Sequence, residues 1–235
     1  MIPAYNEEKR LPATLDAVVA YLAQARYSSV EVIVVDDGSK DSTATVVEGY
    51  LRTHPCVRLL RNPGNRGKGY AVRNGMLAAK GEWVLFSDAD LSSPIGELGK
   101  LLDSARKADA AVAIGSRALD RSLVAVHQSG FRELSGKFFN AVMRLLTGLP
   151  FRDTQCGFKL YRSDAAQAVF SRQILDGFSF DVEYLCIAKH LGFKTLEVPV
   201  RWSNVEGTKV SALAGLKSFT DLVRVRWYSM WGRYR

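Results

Sequence analysis

Two carboxylates, Asp88 and Asp90, stand two residues apart directly after the apolar run 83–87. Ionised carboxylates at the end of a buried strand lose hydration, which is costly unless a partner compensates. A divalent cation is such a partner, and Mg²⁺ takes hard oxygen ligands, typically one or two carboxylates together with substrate phosphate oxygens. The triplet 88–90 therefore indicates a metal that holds a diphosphate, although two acids in a surface turn would look the same.

Two further groups lie where a predicted strand or helix begins or ends. Asp36 and Asp37 follow the β-branched run 30–35 and precede Gly38, so they could accept hydrogen bonds from a nucleobase or ribose, or simply form a turn. Lys68 lies between two glycines at the start of a predicted helix, where backbone N–H groups favour anions. Lys68 could face a diphosphate, but a capping loop explains the glycines nearly as well.

Alternating strand and helix patterns must position these groups. Apolar spacing and turn residues predict helices at 11–22, 67–79, 94–108, 131–146 and 181–191, a further helix that begins at 41–43, and strands at 30–35, 57–60, 82–87, 110–115, 158–161 and 194–200. The last strand is expected near the sheet edge. This order predicts an α/β protein with a Rossmann-like, mostly parallel, doubly wound sheet and helices on both faces. Ligands in such sheets bind at the carboxyl ends of strands, where both acidic pairs fall.

Composition narrows the class of protein. The 235 residues are 47% hydrophobic and suit one domain, which we place at 1–210, followed by a tail at 211–235. No run of 18 apolar residues and no secretory signal is visible, and the three cysteines are widely spaced, which favours reducing cytosol. The net charge of +8 favours an anionic partner: a nucleotide, a nucleic acid or a membrane surface.

The tail interleaves basic and aromatic residues. Arg224, Arg226 and Arg233 alternate with Trp227 and Trp231. Such a composition suits the lipid headgroup region. A helix that packs its aromatic rings on the domain is an equally good reading, and both can hold.

Several motifs occur in an ordered set: residues 2–8 (IPAYNEE), 34–39 (VVDDGS), 65–69 (NRGKG), 88–90 (DAD), 153–159 (DTQCGFK) and 180–183 (FDVE). In this order they resemble the family 2 inverting glycosyltransferases of the GT-A fold, across nearly the whole chain. The resemblance is strongest to the branch that glucosylates dolichyl and other polyprenyl phosphates.

The resemblance implies a donor half of the site. It implies that Asp36 and Asp37 bind the uridine and that Pro3, Tyr5 and Glu7 line the same pocket. Asp88 and Asp90 would contact the nucleotide and hold Mg²⁺ or Mn²⁺, with Asp90 the better candidate for direct coordination. Ser92 stands where some relatives place a further metal ligand, and serine is a weaker one.

An acceptor half follows from the same resemblance. Arg117, Arg132 and Ser135 lie in segments that hold the acceptor phosphate in such relatives, and guanidinium suits phosphate through bidentate bonds. The other interpretation is that these arginines are ordinary solvated side chains.

Two carboxylates then need a role other than that of a base. A phosphate monoester has a second pKa of about 6, so the nucleophile arrives largely deprotonated. We therefore expect Asp153 to orient the acceptor or stabilise charge at the anomeric carbon. Asp181 and Glu183 could hold sugar hydroxyls or brace lysine and arginine partners.

Together these features predict glucose transfer from UDP-glucose to a polyprenyl phosphate, by a metal-dependent enzyme peripheral on the cytoplasmic face of a membrane. Transfer of mannose from GDP-mannose, or of another sugar, to the same lipid is the alternative within the class. A basic nucleic-acid-binding domain is disfavoured, because paired acids without a metal would repel phosphates. A degenerate, non-catalytic lipid-binding relative is disfavoured by the intact motifs.

Overall fold

The computed structural model describes residues 1–126, 130–177, 179–205 and 212–234, without the side chains of 130–135, 137, 138 and 212–218. The strands are β1 (Ile2–Ala4), β2 (Val32–Asp36), β3 (Val57–Arg61), β4 (Trp83–Ser87), β5 (Val112–Ser116), β6 (Val124–Val126), β7 (Phe158–Arg162), β8 (Thr195–Pro199) and β9 (Trp202–Ser203). The helices are α1 (Leu11–Gln24), α2 (Thr43–Thr53), α3 (Lys68–Ala78), α4 (Glu97–Ala108), α5 (Gly130–Thr147), α6 (Ser163–Phe170), α7 (Phe180–His190) and α8 (Ala212–Met230).

Seven of the described strands form the central sheet. β1, β2 and β3 pair in parallel, and β4, β7, β5 and β8 follow in that order. Met1 joins the two groups, since its amine donates to the carbonyl of Leu85 and its carbonyl accepts from the N–H of Ser87. β7 runs antiparallel between β4 and β5, while β8 pairs in parallel with β5 at the edge. The carboxyl ends of β1, β2, β4 and β5 therefore share one edge of the sheet.

Helices cover both faces of this sheet because side chains alternate along each strand. On one face, α1 and α2 pack on Val32 and Val34, and α4 packs on β5 and β7. On the other, α3 packs on Ile33 and Val35, and α6 and α7 cover β4 and β7. The doubly wound α/β architecture predicted from the sequence is confirmed.

The C-terminal helix α8 packs on the outer helices α5 and α7. Leu222 and Val225 are fully buried in the same apolar cluster as residues of α6 and α7, and so is Tyr234 just beyond the helix. The tail thus packs one face on the domain, which agrees with the interpretation of the tail as a packed helix. Among the described helices, none is both long and apolar enough to cross a membrane.

Candidate active site

The loops after β1 and β2 are tied together by hydrogen bonds. The N–H of Asn6 donates to Ser39 Oγ (2.9 Å), the N–H of Lys40 donates to Asn6 Oδ1 (2.8 Å), and the N–H of Glu7 donates to Thr43 Oγ1 (2.8 Å). These bonds place Tyr5 and Glu7, both part-exposed, beside the acidic pair that ends β2, whereas Pro3 is buried within β1.

Asp36 and Asp37 are buried, and both bind backbone groups of the adjoining turns. Asp36 accepts from the N–H of Ser39 (3.1 Å). Asp37 accepts from Asn62 Nδ2 (2.7 Å) and from the N–H groups of residues 66 and 67 (3.2 and 2.8 Å). Asp37 therefore fixes the loop that leads into α3, a long-range role that the sequence did not predict. The local turn bond that the sequence left open is made by Asp36. Uridine binding by the pair stays a prediction.

Asp88 lies between a cation and a glycine. Lys68 Nζ, in the first turn of α3, is 2.7 Å from Asp88 Oδ1. A Cβ built on Gly157 would lie 2.0 Å from Asp88 Oδ2, so only glycine at that position leaves room for the carboxylate. Burial raises the pKa of Asp88, and the nearby Lys68 only partly offsets this shift. Burial acts to lower the pKa of Lys68, but the negative charges of Asp88 and, to a lesser extent, Asp181 raise it overall.

Asp90 lies two residues beyond Asp88, and its described contact is a hydrogen bond to the backbone and not an ion pair. Its Oδ1 accepts from the N–H of Ser92 (2.9 Å). Arg10, at the start of α1, forms a bidentate pair with Glu7 (2.7 Å for both bonds), and its pKa is raised first by Glu7 and then by Asp90 and Asp88. Sequence analysis did not select Arg10, although its spacing of three residues from Glu7 is a usable local signal.

Two hard-oxygen carboxylates fit the way in which Mg²⁺ is held, because substrate phosphates and water complete its shell. Asp88 and Asp90 are the residues that would hold the ion. The described residues contain no group of three or more His, Cys, Asp or Glu side chains that could bind a metal without such help.

Arg117 and Asp153 form a second pair at the carboxyl end of β5. Nε and Nη2 of Arg117 donate to the two carboxylate oxygens (2.6 and 2.8 Å), and the backbone N–H of Arg117 donates as well (3.0 Å). Arg117 overcomes the burial of Asp153 and lowers its pKa to about 2. The guanidinium also lies over the ring of Trp202, 5.2 Å from the ring centroid.

Between these two pairs lies a third, formed by Lys159 of β7 and Asp181 of α7. Lys159 Nζ is fully buried, 2.7 Å from Asp181 Oδ1, and donates to the carbonyl of Cys156 (2.5 Å). The hydroxyl of Tyr184 also donates to Asp181. Asp181 thus braces a basic partner, one of the two roles expected of it. Sequence analysis did not select Lys159, although a lysine in the middle of an apolar strand is a usable signal.

Arg132 and Ser135 lie in α5, and their side chains are outside the described part of the chain. Their predicted contact with an acceptor phosphate stays a prediction.

The sheet order and the acidic pairs at its carboxyl edge define a GT-A-like glycosyltransferase fold. The chain belongs to the family described as Glycosyl transferase family 2, whose model matches residues 1–170. It is similar to a dolichyl-phosphate beta-glucosyltransferase of Trichomonas vaginalis (38% identity, 96% of this chain, 71% of the relative). It is also similar to dolichyl-phosphate beta-glucosyltransferases of Drosophila melanogaster (39%, 100% and 74%) and Homo sapiens (37%, 100% and 76%).

Solved structures agree on the fold. Glucosyl-3-phosphoglycerate synthase of Mycobacterium tuberculosis, in complex with Mn²⁺, UDP-glucose and phosphoglyceric acid, superposes with a TM-score of 0.68 at 17% identity, covering 96% of this chain and 78% of that one. A mannosyltransferase of Pyrobaculum calidifontis in complex with GDP-Man and Mn²⁺ has a TM-score of 0.63 at 18% identity, covering 95% and 63%. At these identities the likeness shows the fold alone.

Proposed function

We propose that this protein transfers glucose from UDP-glucose to the phosphate of dolichol or a similar polyprenol, with inversion at the anomeric carbon. The similarity to three dolichyl-phosphate beta-glucosyltransferases over almost the whole chain supports transfer of glucose to such a lipid phosphate. The observation that carries the mechanism is the placement of Lys68 and Arg117 at one edge of the sheet, each held by a buried or half-buried carboxylate. A reaction between two anions needs cations at such a place.

The donor half of the site would bind UDP. Asp36 and Tyr5 would contact the uridine, and Asp88 and Asp90 would hold Mg²⁺ or Mn²⁺ against the diphosphate. A metal held there neutralises the charge of the leaving UDP. Lys68 lies at the N-terminus of α3, where N–H groups and the helix dipole add to its attraction for phosphate.

The acceptor half would bind the lipid phosphate through Arg117, with Arg132 and Ser135 of α5. Asp153 is a poor general base, because its pKa of about 2 leaves almost no affinity for a proton at neutral pH. Its hydrogen bonds instead hold Arg117 in one orientation. The phosphate monoester supplies its own negative charge, so the attacking oxygen needs no base.

A lipid acceptor requires contact with a membrane, and α8 offers a surface for it. Val223, Trp227, Met230 and Trp231 lie on one side of the helix and its end with 58–69% of their surface exposed. The rings of Trp227 and Trp231 stack at 5.3 Å. Exposed aromatic residues beside arginines suit the interface between lipid headgroups and acyl chains. We propose peripheral attachment through this face, on the cytoplasmic side.

A donor panel tests the proposed function. The protein is incubated with UDP-glucose, other UDP-sugars or GDP-mannose, short polyprenyl phosphates and Mg²⁺ or Mn²⁺. Mass spectrometry identifies the product, and anomeric NMR shows its stereochemistry. We expect a β-linked glucosyl phosphate from UDP-glucose. A product from GDP-mannose alone would replace the donor assignment, and an α-linked product would exclude inversion.

A separate variant tests the assignment of Asp90 as a metal ligand. Asp90→Ala should lower turnover by at least about 100-fold, because it removes a ligand that acts on the leaving diphosphate. Asp103→Ala, which removes an exposed acid of α4, serves as the matched control and should keep wild-type turnover. Wild-type turnover by Asp90→Ala in the presence of EDTA would overturn the metal assignment.

A further inference from the structure

The carboxylate of Glu183 joins three parts of the chain at one buried point. Glu183 is on α7, its surface is fully buried, and it accepts from the N–H groups of Ile174 (3.0 Å) and Leu175 (2.8 Å). Its third donor is the hydroxyl of Tyr234 beyond α8 (3.0 Å). Burial raises the pKa of Glu183, and these three hydrogen bonds oppose the shift. Removing one donor therefore leaves a buried carboxylate underpaired.

Residues 173–176, here called the clamp, grip the first turns of α3. The carbonyl of Asp176 accepts from the N–H of Gly69 (2.8 Å), and Gln173 Nε2 donates to the carbonyl of Gly69 (2.9 Å). A Cβ on Gly69 would lie 2.6 Å from the carbonyl oxygen of Leu175, so the two backbones are in direct contact. Arg73, one turn further along α3, pairs with Asp176 (3.0 Å).

The clamp is continuous with the donor half of the site. Lys68 directly precedes Gly69, and its ammonium is 2.7 Å from Asp88. A change in the clamp would move the first turn of α3 and with it the separation of Lys68 and Asp88.

We propose that Tyr234 and Glu183 are positioning residues that fix the clamp, and through it Lys68, in the geometry needed to bind the donor diphosphate. The C-terminal segment thereby takes part in donor binding without touching the donor. This inference rests on the proposed function for the identity of the donor, but the contacts that it invokes do not. If α8 attaches to a membrane, the seating of Tyr234 links attachment to donor affinity.

The test uses Tyr234→Phe, which removes the hydroxyl and keeps the ring. Tyr228→Phe is the matched control, because the Tyr228 hydroxyl accepts from Arg224 on the same tail, whereas the described donors to Glu183 are residues 174, 175 and 234. Hydrogen–deuterium exchange measures the amides of 173–177 and 67–72 in the substrate-free protein, with 11–24 as an internal reference. Steady-state kinetics measures KM for UDP-glucose and kcat.

We expect Tyr234→Phe to speed exchange in the clamp and the start of α3, and to raise KM for UDP-glucose roughly 2- to 30-fold with little change in kcat. Tyr228→Phe should change neither. Unchanged exchange at the clamp would overturn the inference, and faster exchange with an unchanged KM would overturn its link to the donor. A wild-type protein without activity on UDP-glucose would instead refute the proposed function, and the exchange data would still decide whether Tyr234 fixes the clamp.

Discussion

Gly157→Ala should separate activity from folding at this site. The added methyl carbon would lie 2.0 Å from Asp88 Oδ2 and 2.3 Å from its Cγ, far inside van der Waals contact. The carboxylate must therefore move by about 1 Å or more, away from the position in which Lys68 holds it. Gly157 has no positive φ angle, so alanine introduces no backbone strain.

The cost to stability should be small, because the obstacle is the end of a part-exposed side chain that can rotate. Overpacking typically costs about 1–3 kcal/mol, and the lower end applies here, which corresponds to a fall in Tm of about 2–4 °C. A displacement of about 1 Å in a catalytic group can cost roughly 100-fold in rate. We therefore expect turnover to fall about 100-fold in a protein that melts almost normally.

The assay compares UDP-glucose turnover and thermal melting of Gly157→Ala with those of Gly49→Ala. Gly49 lies within α2 with nothing within 4 Å of a built Cβ, so alanine there should stabilise the helix by about 0.5–1 kcal/mol and leave turnover unchanged. Wild-type turnover by Gly157→Ala would refute the reasoning about Asp88. A fall in Tm of more than about 10 °C would show that Gly157 serves the fold instead.

Two further predictions concern buried groups. Arg117 depresses the pKa of Asp153 to about 2, so the stabilisation from this pair is complete above the unfolded-state pKa near 3.9 and is lost as pH falls through about 2. Urea unfolding between pH 2 and 6 should show Asp153→Asn less stable by roughly 2 kcal/mol above pH 5, with the difference shrinking towards pH 2; a constant difference would contradict the assignment. Burial raises the pKa of Cys156 to about 11 and of Cys186 to about 12, whereas Cys56 is partly exposed. Iodoacetamide should therefore label Cys56 first in the native protein, as peptide mass mapping would show, and early labelling of Cys186 would contradict the packing of α7.

Strong periodicity made most of the fold predictable from sequence. The helix predicted at 11–22 is α1 at Leu11–Gln24, and the strand predicted at 82–87 is β4 at Trp83–Ser87, because local apolar spacing and burial point the same way. The direction of β7 was not predictable in this way. An antiparallel strand between β4 and β5 is a long-range pairing, and the apolar pattern of residues 158–162 does not indicate the direction in which the strand pairs. The short helix α6 was also missed.

The site residues likewise differ in how far the sequence predicted them. Asp88, Asp90 and Arg117 directly follow strands, so their sequence positions alone brought them to the carboxyl edge of the sheet. Tyr234 reaches Glu183 only through the tertiary fold, across a contact that no local pattern records. A local turn role for the pair Asp36 and Asp37 was open from sequence, because a turn acid and a ligand-binding acid look alike until their hydrogen bonds are known. The bonds of Asp37 to residues 62–67 are long-range and were not predictable in this way.

The Arg117–Asp153 pair bears on the proposed acceptor role of Arg117, because the salt bridge engages only some of the donors of the guanidinium. A guanidinium has five N–H donors in a planar fork. Asp153 takes the Nε donor and one Nη2 donor, and Trp202 lies against the face of the plane. This arrangement fixes the orientation of the guanidinium, and within the described part of the chain no hydrogen bond to Nη1 is present, so Nη1 could donate to a phosphate oxygen if Arg117 binds the acceptor as proposed. Lysine at position 117 would keep the charge but would lack the guanidinium nitrogen that does not face Asp153. A bound phosphate and Asp153 would then compete for one ammonium group.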